Sequence, residues 1–175
     1  MSGGLSFRAA TAADVDALVM LVTSAYRGDA SKQGWTTEAD ILDGNRIDAE
    51  VLGHDIARAR SRVILAERGD AILACAHVAE EGGAGYFGMF SVRPDLQGAG
   101  IGKHLLAEAE RVVRDEWALP AMRMTVIDVR DELIAWYERR GYRRTGIHKP
   151  FPYGDERYGI PKRDDLRFEV LEKAL

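Results

Sequence analysis

Three glycines stand where a helix should begin, and they are the first sign of chemistry in this sequence. Met89–Val92 favour a β-strand, Gly98, Gly100 and Gly102 follow, and a helical pattern starts at once. Each glycine inside a helix costs about 1 kcal/mol relative to alanine. A helix N-terminus, however, presents unpaired backbone N–H groups, and glycines let an anion approach them without a Cβ in the way. The turn therefore predicts a phosphate or pyrophosphate site, with an ordinary glycine-rich connection as the alternative.

Two common phosphate-binding motifs do not fit this turn. A P-loop requires G-x-x-x-x-G-K-[ST], but Gln97 occupies the first glycine position and His104 follows Lys103. The dinucleotide fingerprint G-x-G-x-x-G fails because Lys103 stands where the third glycine is required. The pattern that does fit is Q-x-x-G-x-G, formed by Gln97, Gly100 and Gly102.

This turn resembles that of the GCN5-related N-acetyltransferase (GNAT) superfamily. The matching segments are VRPDLQGAGIG (92–102) and, at the distance found in the family, ELIAWYERRGY (132–142). The resemblance implies that the turn binds the pyrophosphate of acetyl-coenzyme A (acetyl-CoA), which would be the co-substrate. It also implies two groups of binding residues: Phe90, Ser91 and Val92 along the pantetheine arm, and Gln97, Gly98, Ala99, Gly100, Ile101, Gly102 and Lys103 around the pyrophosphate.

Tyr137 is the predicted general acid. The resemblance places it where a family tyrosine protonates the departing sulfur of coenzyme A, and a phenol with an ordinary pKa of about 10 is protonated at neutral pH. An amphipathic core tyrosine is the alternative, because Leu133, Ile134 and Trp136 surround it in sequence. A backbone N–H near Phe90 is expected to polarise the thioester carbonyl.

The general base is not determined by the sequence. Many relatives carry a carboxylate on the strand before the glycine turn, but GYFGMFSV contains none. The remaining candidates are Glu38, Glu80, Glu81, Asp128 and His77, or a water relay. Arg130 stands where relatives often have an asparagine that contacts the pantetheine arm; contact of Arg130 with a phosphate is a hypothesis.

Two segments, 33–40 and 149–159, are expected to shape the acceptor pocket. The candidate aromatic walls are Trp35, Tyr86, Phe151 and Tyr153, and the candidate carboxylates for a cationic amine are Glu38 and Asp155. Aromatic rings with a carboxylate favour a primary amine of a small-molecule or amino-acid-like acceptor. Each of these residues could instead be a packed or solvated loop residue.

Hydrophobic periodicity indicates the elements that must position these residues. Helices are predicted at 12–26, 37–44, 48–60, 100–116 and 130–140, and strands at 5–10, 62–68, 71–80, 85–92, 121–128, 142–149 and 166–175. A long loop is expected at 149–165, and the last strand should pair near the strand that follows Gly141. The expected fold class is α/β (α+β): a GNAT-like, mixed, mostly antiparallel sheet of about six to seven strands with helices on both faces.

Composition bounds the protein further. The 175 residues are 46% hydrophobic and 30% charged, which predicts one domain over residues 1–175. The formal net charge of −4 gives no sign of a nucleic-acid partner. Since no apolar stretch is long enough for a membrane span or a signal peptide, no membrane association and a cytoplasmic location are expected. No metal site is expected either.

Cys75, the only cysteine, lies in the apolar run AILACAHV and is expected to be a buried core residue. Direct attack of the amine on acetyl-CoA is therefore favoured over a route through an acetylated thiol. A non-catalytic module that binds or senses coenzyme A is the alternative function. The resemblance also raises homodimerisation, which no sequence feature decides.

Overall fold

The computed structural model describes residues 4–26, 42–43, 47–97, 99–154 and 160–175. Four residues named above, Trp35, Glu38, Gly98 and Asp155, lie outside these ranges.

The described residues form one large sheet. Its strands are β1 (Ser6–Ala9), β3 (Ser61–Arg68), β4 (Ala71–Glu81), β5 (Ala84–Val92), β6 (Ala121–Ile127), β7 (Arg143–Pro150) and β9 (Arg167–Ala174), while β2 (Leu42–Asp43) and β8 (Ile160–Pro161) form a separate short ribbon. The order in the large sheet is β1-β3-β4-β5-β6-β9-β7. Only the β5–β6 pair is parallel, so the prediction of a mixed, mostly antiparallel sheet is confirmed. The last strand, β9, pairs with the strand that follows Gly141, as expected.

Four helices of the described chain pack on this sheet. They are α1 (Val15–Tyr26), α2 (Ala49–Ala57), α3 (Ile101–Arg111) and α4 (Asp131–Glu138). Asp48 is the N-cap of α2, and its carboxylate accepts the backbone N–H groups of Glu50 and Val51. Helix α3 ends five residues before the predicted end because Val112–Glu116 continue it as a π-helical turn.

Successive side chains along the strands point to opposite faces of the sheet, and each face carries its own hydrophobic core. Helices α1 and α2 pack against the side chains of Val63, Leu65 and Cys75. Helices α3 and α4 pack on the opposite face, where Ile64 and Ala66 point. Cys75 is fully buried, which confirms the expectation of a core thiol.

The predicted helix over 37–44 is wrong at the residues that the structure describes. Leu42 and Asp43 form strand β2, which pairs antiparallel with Ile160 and Pro161 of β8. The pairing joins two segments that are more than a hundred residues apart in sequence, so local periodicity carries no sign of it. Residues 37–41 and 44 lie outside the described ranges.

A partly buried ion pair connects α3 with the last strand. Lys173 Nζ lies 3.1 Å from both carboxylate oxygens of Glu110, and the Tyr142 hydroxyl donates to the same carboxylate at 2.7 Å. Glu110 is only 9% exposed. Burial, reinforced by the Glu110 charge, raises the pKa of Tyr142 above its ordinary value, so the hydroxyl stays a donor.

We expect the Lys173→Met variant to lose about 1.5 kcal/mol of the free energy of unfolding, because it leaves the Glu110 carboxylate without its cation. Urea unfolding at neutral pH measures this loss. The double variant Glu110→Gln, Lys173→Met is the control and should recover part of it, since no unpaired charge remains. A double variant less stable than Lys173→Met would contradict this account.

Candidate active site

The centre of the sheet is opened by divergence of its two parallel strands. Strands β5 and β6 are paired where Gly85 opposes Met122 and Tyr86 opposes Arg123. Both pairs lie near the start of β5, so the strands separate over the rest of their length. A cleft through the sheet follows, with Phe90 on one of its sides.

A β-bulge lies in β5 at this cleft. Cys75 of β4 opposes Ser91, but His77 opposes Gly88, so two residues of β5 face a single residue of β4. Met89 takes a left-handed conformation with φ of +54°, which is strained for a residue with a side chain. The bulge turns the backbone of Met89 and Phe90 out of the regular ladder.

Helix α1 holds the turned-out backbone in place. The Tyr26 hydroxyl donates to the carbonyl oxygen of Phe90. The Ser91 hydroxyl donates to the Met89 carbonyl at 3.1 Å, and the Cys75 sulfur lies 3.9 Å from the same oxygen. These side chains give the bulge one defined conformation, which is a requirement for backbone groups that position a reacting carbonyl.

A cavity of about 620 Å³ occupies the cleft. The β5 bulge, strand β6 and helix α4 form one part of its lining, and α1, α2 and β4 form another. Phe90 and Tyr137 line it together with Tyr86, His77 and Phe151. The cavity thus joins the predicted coenzyme A side of the sheet to the predicted acceptor side.

Tyr137 lies in α4 at the wall of this cavity and is 4% exposed. Its ring contacts Phe87, Phe90, Trp136 and Tyr142, with ring centroids 5.2–6.3 Å apart and mostly edge-to-face geometry. Such an aromatic cluster fixes the position of the ring. A fixed phenol beside the cleft fits a proton donor.

The glycine turn connects β5 to the first turn of α3. Gln97 donates from its side-chain amide to the Val92 carbonyl at 3.1 Å, which ties the turn to the end of the strand. Gly100 precedes the helix with φ of +85°, and a Cβ built there would meet nothing within 4 Å. No side chain of the described residues caps this helix, and Lys103 is exposed beside it. The helix N-terminus is therefore open to an anion.

Gly102 has a different role from Gly100. A Cβ at Gly102 would lie 2.7 Å from Cζ of Phe90 and 3.6 Å from the Trp136 ring. Phe90 itself packs on Trp136, with ring centroids 5.4 Å apart. Because Gly102 has no side chain, the rings of Phe90 and Trp136 can lie against the start of α3. These rings connect the glycine turn to the cavity wall that carries Tyr137.

We expect the Gly102→Ala variant to bind coenzyme A about tenfold more weakly, because its Cβ must displace Phe90 and overpacking costs about 1–3 kcal/mol. Isothermal titration with coenzyme A measures the affinity. Ala107→Ser, an exposed change on the same helix, is the control and should bind as the wild type does. Unchanged affinity in Gly102→Ala would show that the contact does not shape the turn.

The candidate general bases fall into different environments. Glu80 pairs with Arg60 at 3.1 Å, and Asp128 accepts from Arg167 at 2.6 Å, so each carboxylate has a cationic partner. Glu81 is exposed and His77 is buried, and both line the cavity. Glu38 lies outside the described residues.

The candidate acceptor residues separate as well. Tyr86 and Phe151 line the cavity. Tyr153 lies on the outer side of Phe151, with ring centroids 5.0 Å apart, and its hydroxyl donates to the Arg163 carbonyl at 2.9 Å. The same hydroxyl accepts the backbone N–H of Leu166 at 2.8 Å, so Tyr153 organises the loop behind Phe151.

Five charged residues that the sequence did not assign to the acceptor site also line the cavity. Asp48 and Asp55 come from the start and the end of α2, and Arg58 follows this helix, with its Nε 3.4 Å from Oδ1 of Asp55. Arg130 and Lys149 come from the opposite wall. The Arg130 guanidinium lies 5.5 Å from the centre of the Tyr26 ring, in the cavity. Only the packing of α2 over the cleft reveals the two carboxylates, because nothing in the local sequence directs them there.

The described residues offer no candidate metal cluster and no candidate membrane helix. No group of three or more His, Cys, Asp and Glu side chains in these ranges is placed to hold a metal ion. No helix within them is long and apolar enough to cross a membrane.

The fold and the site together define a class of protein. Residues 59–144 match the family model described as an acetyltransferase (GNAT) domain. The resemblance seen in the sequence is thereby confirmed: this segment, just under half of the chain, matches the GNAT domain, and the large sheet with its helices has the GNAT fold.

Solved structures of GNAT acetyltransferases superpose on nearly the whole chain. The ribosomal-protein-S18-alanine N-acetyltransferase from Escherichia coli shares 13% identity with a TM-score of 0.71, over 98% of this chain and 94% of its own. The ribosomal-protein-alanine N-acetyltransferase from Brucella melitensis shares 22% identity with a TM-score of 0.71, over 97% and 99%. The PaiA N-acetyltransferase from Thermoplasma acidophilum, solved in complex with coenzyme A, shares 15% identity with a TM-score of 0.68, over 99% and 100%. No curated protein matches the sequence.

Proposed function

We propose that this protein transfers the acetyl group of acetyl-CoA to a primary amine of a small-molecule or amino-acid-like acceptor. The observation that carries the proposal is the cavity of about 620 Å³ at the divergence of β5 and β6. It brings the β5 bulge and Tyr137 together, and the glycine turn begins where β5 ends. The GNAT domain match supports acyl-CoA as the donor class.

Each part of the site has a separate role in the transfer. The open N-terminus of α3 at Gly100 holds the pyrophosphate, and the bulged backbone at Phe90 directs the thioester into the cleft. Tyr137 donates a proton to the departing thiolate. Cys75 is fully buried and therefore takes no part as an acetyl carrier, so the amine attacks the thioester directly.

The charged walls of the cavity support the proposed acceptor class. Asp48, the N-cap of α2, and Asp55, whose Oδ1 lies 3.4 Å from Arg58 Nε, offer their carboxylates to an ammonium. Arg130 and Lys149 on the opposite wall offer cations to a carboxylate or carbonyl. Two of the structural neighbours are named for acetylating an alanine of a ribosomal protein. Peptides that begin with alanine therefore belong in the acceptor panel beside free amino acids and polyamines. The proposed setting is the cytoplasm, and homodimerisation stays an expectation from the family.

The test is release of free thiol from acetyl-CoA across a panel of alkylamines, amino acids, polyamines and alanine-initiated peptides. The same samples are melted with and without coenzyme A. Amine-dependent release supports the transferase and identifies the acceptor class. A melting shift without release on any amine would favour the coenzyme A sensor, and the absence of both would refute the proposal.

A further inference from the structure

The imidazole of His77 faces the acceptor side of the cleft. His77 lies on β4, on the face that α2 covers, and its side chain is 8% exposed where it lines the cavity. Each ring nitrogen has its own neighbour. Nε2 lies 2.8 Å from the Ser61 hydroxyl, and Nδ1 lies 3.9 Å from Oδ2 of Asp55.

The hydrogen bonds of Ser61 decide which nitrogen of His77 carries the proton. The Ser61 hydroxyl lies 2.6 Å from the backbone carbonyl oxygen of Asp55, which can only accept. Ser61 has a single proton, and this carbonyl takes it. The Ser61 oxygen must then accept from His77, so the neutral imidazole bears its proton on Nε2. The lone pair of Nδ1 points towards the Asp55 carboxylate.

The surroundings of His77 keep the imidazole neutral. Burial, the largest cause, lowers the pKa of His77 below its ordinary value of 6.5. The Asp55 charge raises this pKa and the Arg58 charge lowers it. From β5, Tyr86 contributes an aromatic edge at 6.0 Å between ring centroids. At neutral pH, then, two hydrogen-bond acceptors face each other across 3.9 Å.

Two facing acceptors form a place for a donor with more than one N–H. A primary ammonium has three N–H groups and a positive charge, so it can donate to a carboxylate and to an imidazole lone pair at once. We propose that the ammonium of the acceptor binds between Oδ2 of Asp55 and Nδ1 of His77, and that His77 removes its proton. This inference rests on the acetyl transfer proposed above and names the base that the transfer requires.

Side chains transfer protons at two places in the cleft, His77 on the acceptor side and Tyr137 on the coenzyme A side. The ammonium gives a proton to Nδ1 of His77, which passes it to solvent, and the freed lone pair attacks the thioester carbon. The C–N bond forms as the C–S bond breaks. The amine nitrogen loses its second proton to solvent, and Tyr137 protonates the thiolate and regains its own proton from solvent. The sum is an acetamide, a free thiol and one proton.

The pairing of β4 with β5 sets the distance between His77 and the β5 bulge. His77 opposes Gly88, and Phe90 follows two residues later on β5. At about 3.3 Å per residue, the backbone that would position the thioester lies roughly 7 Å along the strand. An amine nitrogen bound on the side of Nδ1 that faces Phe90 would lie between His77 and the thioester, in contact with His77 directly or through one bridging water.

Histidine NMR tests the pair without any turnover. We expect ¹⁵N-histidine spectra of the wild type, assigned with His77→Gln, to show His77 neutral at pH 7 with its proton on Nε2. We also expect propylammonium to shift the Nδ1 resonance, and Asp55→Asn to remove that shift. A His77 that is charged at pH 7, protonated on Nδ1, or indifferent to propylammonium would overturn the inference.

Kinetics on the best amine of the acceptor panel test the proton transfer. We expect His77→Gln to lower kcat about 100-fold and to remove the acidic limb, below pH 6.5, from the pH profile of kcat/KM. Ser61→Ala should lower kcat less than His77→Gln does and should move that limb, because His77 is then no longer held in the tautomer that leaves Nδ1 free. His54→Gln, the same change at an exposed position of α2, is the control and should behave as the wild type does.

The two proposals fail in different ways. Absence of thiol release by the wild type on every amine would refute the transferase, and the NMR result would still decide whether Asp55 and His77 bind an ammonium. An active wild type together with an active His77→Gln that keeps the acidic limb would refute the His77 inference alone.

Discussion

The Tyr137→Phe variant is expected to have a kcat lower than that of the wild type by a factor of about 10² to 10⁴, while it binds coenzyme A as tightly as the wild type does. The phenol supplies the proton to the departing thiolate, and the change removes only that hydroxyl. The ring keeps its contacts with Phe87, Phe90 and Trp136, so the wall of the cleft stays in place. Steady-state thiol release gives kcat, and the melting shift with coenzyme A reports binding.

Tyr142→Phe is the matched control for this experiment. Tyr142 is another buried tyrosine, with its ring centroid 5.9 Å from that of Tyr137, but its hydroxyl is committed to Glu110. Its removal should lower stability and leave kcat nearly unchanged. If Tyr137→Phe kept kcat within threefold of the wild type, the tyrosine would be a packing residue and another group would have to supply the proton.

Local sequence patterns were sufficient to predict the elements whose structure is determined by neighbouring residues. Period-two alternation indicated the strands of the sheet, and the glycines at 100 and 102 indicated the turn before α3, while anion binding at that turn stays a prediction. The burial of Cys75 followed from its apolar neighbours in the same way. In each case the residues that determine the structure lie within one element or one turn.

The acceptor side could not be predicted because it depends on packing between distant segments. Asp55 reaches His77 only because α2 packs on the face of the sheet that carries the His77 side chain, and the two residues are separated in sequence by the whole of β3. The bulge in β5 depends on the register with β4, which the sequence of β5 alone does not reveal. Gly102 shows the same limit, because its close approach to Phe90 exists only in the folded chain.

We expect the Gly85→Ala variant to lose up to about 3 kcal/mol of the free energy of unfolding, because the new Cβ would overpack the contact with Val113. The added Cβ would lie 2.6 and 2.7 Å from the two methyl carbons of Val113 and 3.1 Å from the Met122 sulfur. Gly85 is also where β5 pairs with β6, so relief of the clash must move strands that define the cavity. Urea unfolding measures the loss, and coenzyme A binding should weaken with it.

A second substitution decides whether the Val113 contact is the cause. Val113→Ala removes both methyl groups that the new Cβ would strike, so the double variant Gly85→Ala, Val113→Ala should be more stable than the sum of the single effects predicts, by about 1 kcal/mol or more. Gly53→Ala is the control, since nothing lies within 4 Å of a Cβ there and alanine favours the helix by about 1 kcal/mol. If the losses of unfolding free energy in the two single variants simply added in the double variant, the strain would lie in the β5 backbone and not in the Val113 contact. A coupled pair would mean that the fit of Val113 against Gly85 sets how closely β5 and β6 approach before they diverge, and thereby the width of the site.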